Sequence, residues 1–381
     1  MRMDSLYFNK SHIAFREKAR AFIAAEILPY VDDWEKEKTF PRELYLKTGR
    51  AGFLGLGYPE DYGGTPCDIF FEVIYTEEII KCGSVGLASS LGSAAIGLPP
   101  IYALGTEAQK HKYIPPVLKG EKIAVLGVTE PSGGSDVANL RTKAVREGGD
   151  YVLNGEKTFI TGGMRSDYFV VAARTGGEGL TGISLFLVEA DAPGFSRQPL
   201  PRKMGWWCSD TASLFFDDCR VPVANILGPQ DRGFLAVMQN FNHERFFMTA
   251  QCLGMMQACL DDAIAWARER KTFGKRLIEH QVIRHKLADM SARIDATRAV
   301  VQQIAWNINE GELPVAEISK AKFFASKGLE FCASEAMQIL GGAGYLRGNR
   351  IERIYREVKV MAIGGGSEEI LRDLAARQMG L

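Results

Sequence analysis

The chain has 381 residues, which allows roughly two or three domains at about 150 residues each. Hydrophobic residues make up 46% and charged residues 24%, which excludes whole-chain disorder and leaves ample apolar material for a core. Lys plus Arg and Asp plus Glu both number 46, so the charge balance gives no footprint for nucleic acid or an anionic membrane.

The opening Met1-Arg2-Met3-Asp4-Ser5 carries an acid early and runs into amphipathic sequence, which predicts no secretory signal. Residues 11 to 120 read as mostly helix, with Phe15, Ala19, Phe22 and Ile23 on one apolar face. A turn is expected at Pro59-Glu60-Asp61-Tyr62-Gly63-Gly64. An apolar, small-residue run from Phe70 to Leu104 follows, broken by Gly83 and Pro99-Pro100. From 122 the pattern changes to short β-rich runs, such as Tyr168 to Ala173, Ile183 to Val188 and Leu214 to Phe216. Tyr151-Val152-Leu153 followed by Asn154-Gly155 predicts a hairpin turn at Asn-Gly. After Pro222 and a loop at Gly228-Pro229, helical periodicity returns over 235–381, as at Leu287, Met290, Ile294 and Thr297.

The order is helix, β, helix. Three domains are expected: 1–121 helical, 122–234 β and 235–381 helical. The fold class is mainly α with a β-domain, and the middle block, lacking alternating helices, suits a barrel or sandwich better than a doubly wound sheet.

Several familiar signals are weak here. Gly177-Glu178-Gly179-Leu180-Thr181-Gly182 has dinucleotide-loop spacing but is followed by a β-type run, so a hairpin loop is expected. His280 and His285 lie off a common helix face without a carboxylate cluster, and the seven cysteines contain no C-x-x-C pair, so no metal site or disulfide framework is expected. Widely spaced thiols suit a cytosolic or matrix compartment, and no apolar run is long enough to span a membrane. Val128-Thr129-Glu130-Pro131-Ser132-Gly133-Gly134-Ser135-Asp136 is compatible with an ordinary turn or with a loop whose amides and hydroxyls face a polar ligand. Arg270 to Lys275 and Gln338 to Tyr345 suit nucleotide phosphates and sugar, or solvated helix ends.

Six segments taken together resemble the flavin-dependent acyl-CoA dehydrogenases over essentially the whole chain. They are PEDYGG (59–64), VTEPSGGSD (128–136), YVLNGEKTFITGG (151–163), ERKTFGK (269–275), QILGGAGY (338–345) and IERIYREVKV (351–360). The resemblance implies an N-terminal helical domain, a middle β-domain and a C-terminal four-helix bundle. It implies FAD as cofactor, held by Val128, Thr129, Gly134, Ser135, Phe159 and Thr161, with Ser367 and Glu369 beside it. Phe159 stands where many members have Trp. A homotetramer is implied, in which Arg270, Thr272, Phe273 and Gln281 reach a neighbour's flavin and Gln338, Gly341 and Gly342 its adenosine diphosphate half.

The chemistry implied is removal of an α-proton from an acyl thioester while a hydride leaves the β-carbon. Many members carry the carboxylate base near the C-terminus, where this chain has Gly365. A minority, including isovaleryl-CoA and long-chain types, carry it on an earlier helix, and the matching residue is Glu244. The resemblance makes Glu244 the expected base and the Gly365 N–H, with a flavin ribityl hydroxyl, the expected donors to the thioester oxygen. Asn242, Arg245, Ser135 and Gly366 are the expected substrate contacts. Ala88 and Gly92, at i and i+4, are expected on one helix face at the end of the acyl tail, favouring medium- to long-chain or branched acyl groups. An electron-transferring flavoprotein is the implied acceptor. An oxidase or monooxygenase using O₂, or a silent acyl-CoA or flavin binder, are the competing readings.

Overall fold

The computed structural model describes residues 6–381, so the expectation for Met1 to Ser5 lies outside the described residues. Eight helices come first: α1 (Lys10–Glu26), α2 (Val31–Glu37), α3 (Glu43–Arg50), α4 (Ile69–Ile80), α5 (Val85–Leu91), α6 (Ala94–Gly97), α7 (Pro99–Leu104) and α8 (Glu107–Leu118). Eight strands follow: β1 (Ala124–Gly127), β2 (Lys143–Glu147), β3 (Asp150–Thr161), β4 (Tyr168–Arg174), β5 (Ile183–Glu189), β6 (Phe195–Pro199), β7 (Thr211–Pro222) and β8 (Ile226–Leu227). The chain ends in α9 (Gly233–Glu269), a small hairpin of β9 (Lys271–Thr272) and β10 (Lys275–Arg276), then α10 (Gln281–Asn309), α11 (Val315–Leu340), α12 (Arg350–Ile363) and α13 (Glu368–Gln378). No single helix among the described residues is long and apolar enough to cross a membrane.

These elements form two compact units, each interrupted in sequence. One comprises the described part of Met1–Lys36, with Asp68–Ala88 and Asn242–Leu381; the other comprises Glu37–Cys67 and Ser89–Phe241.

In the first unit local chemistry sets the helix ends. Asn9 caps α1 by accepting from the Ser11 and His12 amides, and Asp68 caps α4 through the Phe70 amide while also bonding His12. Each such cap is worth about 1 kcal/mol. α11 is the central rod. It packs against α10, α12 and α13, burying Ile318, Ala325, Leu329, Cys332, Ala336 and Ile339 at helical spacing.

In the second unit the eight strands form one sheet that folds over. β6, β7, β3 and β2 make one half, and β1, β4, β5 and β8 the other. The halves meet at a corner where β2 and β4 share the pair Lys143 and Arg174. Phe169, Val171 and Phe186 of one half therefore join Leu153, Leu214 and Val221 of the other in a single apolar cluster. The opposite face of β4 and β5, with Val170, Ala172, Leu185 and Leu187, packs with Ile101, Tyr113, Ile114 and Val117 of α7 and α8. Burial on both faces explains why these strands read as unbroken apolar runs.

Two sequence expectations change. Asn154-Gly155 makes no hairpin: it lies inside β3, and the turn is Gly148-Gly149, flanked by the pair Glu147 and Asp150. Gly148 has φ +61°, as a two-residue hairpin requires. Asn154 instead bonds the bulged Asp218 of β7 through both its amide nitrogen and oxygen, and Gly155 is needed because a Cβ there would sit 2.7 Å from the Thr142 Cα. Second, α5 ends at Leu91, so Gly92 lies in a turn and does not share a helix face with Ala88. The C-terminal block is helical as expected, with α13 packing on α11. The Gly177 to Gly182 segment is, as expected, a loop joining antiparallel β4 and β5.

Candidate active site

The sheet-containing unit gathers the expected flavin-facing residues in one place. A bulge in β3 between Lys157 and Ile160 pushes Thr158 and Phe159 out of register with β7. Phe159 adopts φ +59° and its ring is 70% exposed. A left-handed backbone at a bulky residue costs on the order of 1–3 kcal/mol and persists only where its surroundings over-determine it. They do so here. The Thr158 amide donates to the Thr129 carbonyl at 2.9 Å, and the Lys157 ammonium donates to the Val128 carbonyl at 3.2 Å and the Glu130 carboxylate at 2.8 Å. Glu130 also accepts from the Arg141 and Thr142 amides, tying the far end of the loop to its start.

Burial would push the Glu130 carboxyl up, but Lys157 and these amides more than compensate and hold it below its ordinary value. Lys157, with no exposure, is pushed down to about 8 by burial, against the pull of Glu130. Val128 is buried beneath the loop, while Gly134 and Ser135 are exposed on it and Thr129 and Thr161 are half-exposed beside it. An exposed aromatic ring set among exposed backbone and hydroxyls fits a planar, polar cofactor such as a flavin nucleotide.

The helical unit gathers a second group. Glu244 and Arg245 sit on α9, and Gly364-Gly365-Gly366 connects α12 to α13. Gly365 has φ +64° and Gly366 φ +100°, and a Cβ on Gly365 would lie 2.5 Å from the Met248 Sδ. No side chain, a carboxylate included, fits at Gly365 without displacing Met248. Two cations hold this turn by its carbonyls: Arg245 Nε donates to Gly365 O and Lys322 Nζ to Gly366 O, both at 2.8 Å. Arg245 also donates to the Asn242 side chain at 3.1 Å. Lys322 is 1% exposed, and burial pushes it down to about 8.

Glu244 is half-buried, and no described residue donates a hydrogen bond to its carboxylate. Burial raises it above the ordinary carboxylate value, and the nearby charges of Arg245 and Lys322 pull it back only in part. A carboxylate in that condition accepts protons more readily than a surface one. Its bland alternative, a solvated acid paired with Arg245, does not fit: the guanidinium bonds the turn and Asn242. Glu368 is engaged by Ser326, Lys327 and Arg372, while Glu369 is exposed in the first turn of α13, which Ser367 caps.

The residues expected to reach a neighbouring subunit lie on the surface. Phe273 and Gly274 form the tip of the β9–β10 hairpin with φ +50° and +76°, and Phe273 is 97% exposed. Arg270, Gln281, Gln338, Gly341 and Gly342 are exposed, and Thr272 is half-exposed. Ala88 is buried.

Sequence reasoning missed Lys157 and Lys322. Both had a signal: Lys322 falls among the buried positions Ile318, Ala321 and Ala325, and Lys157 sits in a motif otherwise read for its aromatic and hydroxyls. A lysine on an apolar stripe implies a buried partner.

Matches of three kinds place the chain among known proteins. The acyl-CoA dehydrogenase N-terminal, middle and C-terminal domains match residues 9–121, 104–219 and 231–380. An acyl-CoA dehydrogenase of Bacillus subtilis (strain 168) is 38% identical over 376 residues, 98% of this chain and 99% of the relative. The mitochondrial long-chain specific acyl-CoA dehydrogenase of Rattus norvegicus is 36% identical over 375 residues, 98% of this chain and 87% of the relative. The crystal structure of an acyl-CoA dehydrogenase from Geobacillus kaustophilus shares the fold with a TM-score of 0.96 at 37% identity, covering 99% and 100% of the two chains. With its three-part fold and its flavin-suited loop, the chain thus belongs to the acyl-CoA dehydrogenases, the FAD-dependent oxidoreductases acting on a CH–CH bond.

Proposed function

We propose that the protein converts a saturated medium- to long-chain or branched acyl-CoA to its trans-2-enoyl-CoA, with Glu244 as the base. The observation that carries this is the pairing of an unbonded, half-buried Glu244 with a glycine turn that admits no carboxylate of its own. Glu244 takes the α-proton. The Gly365 N–H donates to the thioester oxygen as negative charge grows there, and Arg245 and Lys322 keep that donor in place by fixing the turn. Bound FAD supplies the acceptor for the β-hydride. Val128, Thr129, Gly134, Ser135, Phe159 and Thr161 hold it, with Ser367 and Glu369 at the start of α13. Asn242, Arg245, Ser135 and Gly366 are the proposed contacts to the thioester and its CoA, and Ala88 and Gly92 border the acyl tail.

The fully exposed Phe273, on a strained backbone, supports a further part of the reading: a neighbouring subunit covers it, together with Arg270, Thr272, Gln281, Gln338, Gly341 and Gly342, in a homotetramer. The two electrons then pass to an electron-transferring flavoprotein.

The test is an anaerobic titration with butyryl-, isovaleryl-, octanoyl- and palmitoyl-CoA, following flavin absorbance near ~450 nm. Bleaching by the longer or branched thioesters, abolished in Glu244→Gln, is the expected result. A flavin that stays oxidised with every thioester sinks the dehydrogenase assignment for these substrates. Bleaching that survives Glu244→Gln sinks the base assignment alone.

A further inference from the structure

The buried Lys157 is not explained by sheet formation. A strand residue with its side chain inside the fold is ordinarily apolar, and an ammonium there is costly unless its bonds are satisfied. Lys157 is wholly buried, and its partners are not spread through the sheet. They are the Val128 carbonyl and the Glu130 carboxylate, two residues of one loop. Between them the Thr129 carbonyl accepts from the Thr158 amide, so three successive loop residues are fastened by two successive strand residues. The Glu130 carboxylate extends the fastening to the Arg141 and Thr142 amides beyond the loop. Immediately after Lys157 the strand bulges, and Phe159 stands in its left-handed, exposed conformation.

We propose that Lys157 is a positioning residue for the flavin, locking the 128–136 loop onto β3 and thereby fixing both the loop and the Phe159 ring in the arrangement that receives FAD. The proposal rests on the reading of that loop and Phe159 as the flavin site. It makes the bulge and the ion pair one device: the pair over-determines the backbone on one side of Phe159, and the Thr158 hydroxyl, 3.3 Å from the Ser213 hydroxyl, steadies it towards β7.

The test uses the purified full chain and equilibrium dialysis against FAD, with the shape of the bound flavin's absorption band as a second readout. Lys157→Met leaves Glu130 without its cation and can disturb folding by itself. The double variant Lys157→Met/Glu130→Gln removes both charges, and Phe159→Ala touches neither. The expected result is that both Lys157 variants weaken FAD binding at least ~10-fold and blur the flavin band, while the double variant keeps the parent's melting temperature to within a few degrees at saturating FAD. Phe159→Ala weakens FAD binding as well.

If the double variant binds FAD as tightly as the parent while Phe159→Ala does not, Lys157 is not the positioner although the loop is the flavin site. If none of the variants alters FAD affinity, the flavin-site reading fails and takes the proposal with it. If the double variant's loss of FAD comes with an equal collapse in melting temperature, Lys157 is structural only, and the proposal is overturned.

Discussion

Two carboxylates, a buried one in the sheet unit and a half-buried one in the helical unit, meet opposite fates. Glu130 in the sheet unit receives the Lys157 ammonium and two backbone amides, and is held below its ordinary value. Glu244 in the helical unit is raised by burial, and Arg245 and Lys322, which donate to the carbonyls of Gly365 and Gly366, pull it back only in part. A positive charge nearby therefore does not by itself settle how an acid titrates. Burial raises both acids, and only at Glu130 do the Lys157 charge and the hydrogen bonds it and two amides donate overcome that rise.

The sharpest way to break that contrast is to neutralise each acid. Glu244→Gln is expected to lower kcat by about 10²–10⁴, the range of a general base, while leaving the melting temperature level or higher. Glu130→Gln is expected to do the reverse in kind, destabilising the protein by about 3–5 kcal/mol in urea unfolding, because it strands the Lys157 charge. A melting-temperature loss in Glu244→Gln as large as in Glu130→Gln would dissolve the distinction. Lys322→Met probes the helical side more finely. It removes a positive charge that pulls Glu244 down, so the acid limb of kcat/KM should move to higher pH; an unmoved limb means Lys322 acts on the turn alone.

The smallest effect concerns Glu72 and His243, whose side chains lie 3.8 Å apart on α4 and α9. Burial raises Glu72 to about 8 and lowers His243 to about 4. A raised carboxyl contributes stability that is complete below the unfolded value of 4.5 and is lost as pH rises through about 8. The lowered His243 acts the other way, losing its contribution as pH falls from 6.5 through about 4, so above pH 6.5 Glu72 acts alone. Glu72→Gln should therefore gain on the parent between pH 6.5 and 8.5 in paired urea titrations. Parallel titrations at the two pH values would show that Glu72 ionises freely.

Much of this was legible in the sequence where one residue's chemistry is local. Helix–β–helix order followed from periodicity, and Gly83 and Pro99-Pro100 marked breaks that the structure has, the prolines opening α7. Asn154-Gly155 misled because an Asn-Gly pair serves equally to start a hairpin or to satisfy a bulge across a sheet, and only the partner strand's Asp218 decides which. Ala88 and Gly92 do not share a helix face because α5 stops at Leu91, and the i, i+4 spacing of two small residues carries no sign of that end. Glu244 stood out only through resemblance, since no local pattern marks a carboxylate that receives no hydrogen bond. No local pattern records that Arg245 and Lys322 are committed elsewhere, across α9, α11 and the glycine turn.

The interrupted layout of the helical unit has a consequence for synthesis on the ribosome. α4 buries eight of its residues, and α1, its early partner, is already made when it emerges. α10, which also packs on α4, ends at Asn309. At about 5–20 residues per second, the wait for it is roughly 10–45 s. During that time the sheet unit, complete by Phe241, can close first, and α1 and α4 await the rest of their own unit. The helical unit, with its first helices made early and its last made late, can therefore be completed only after the whole of the sheet unit has been synthesised.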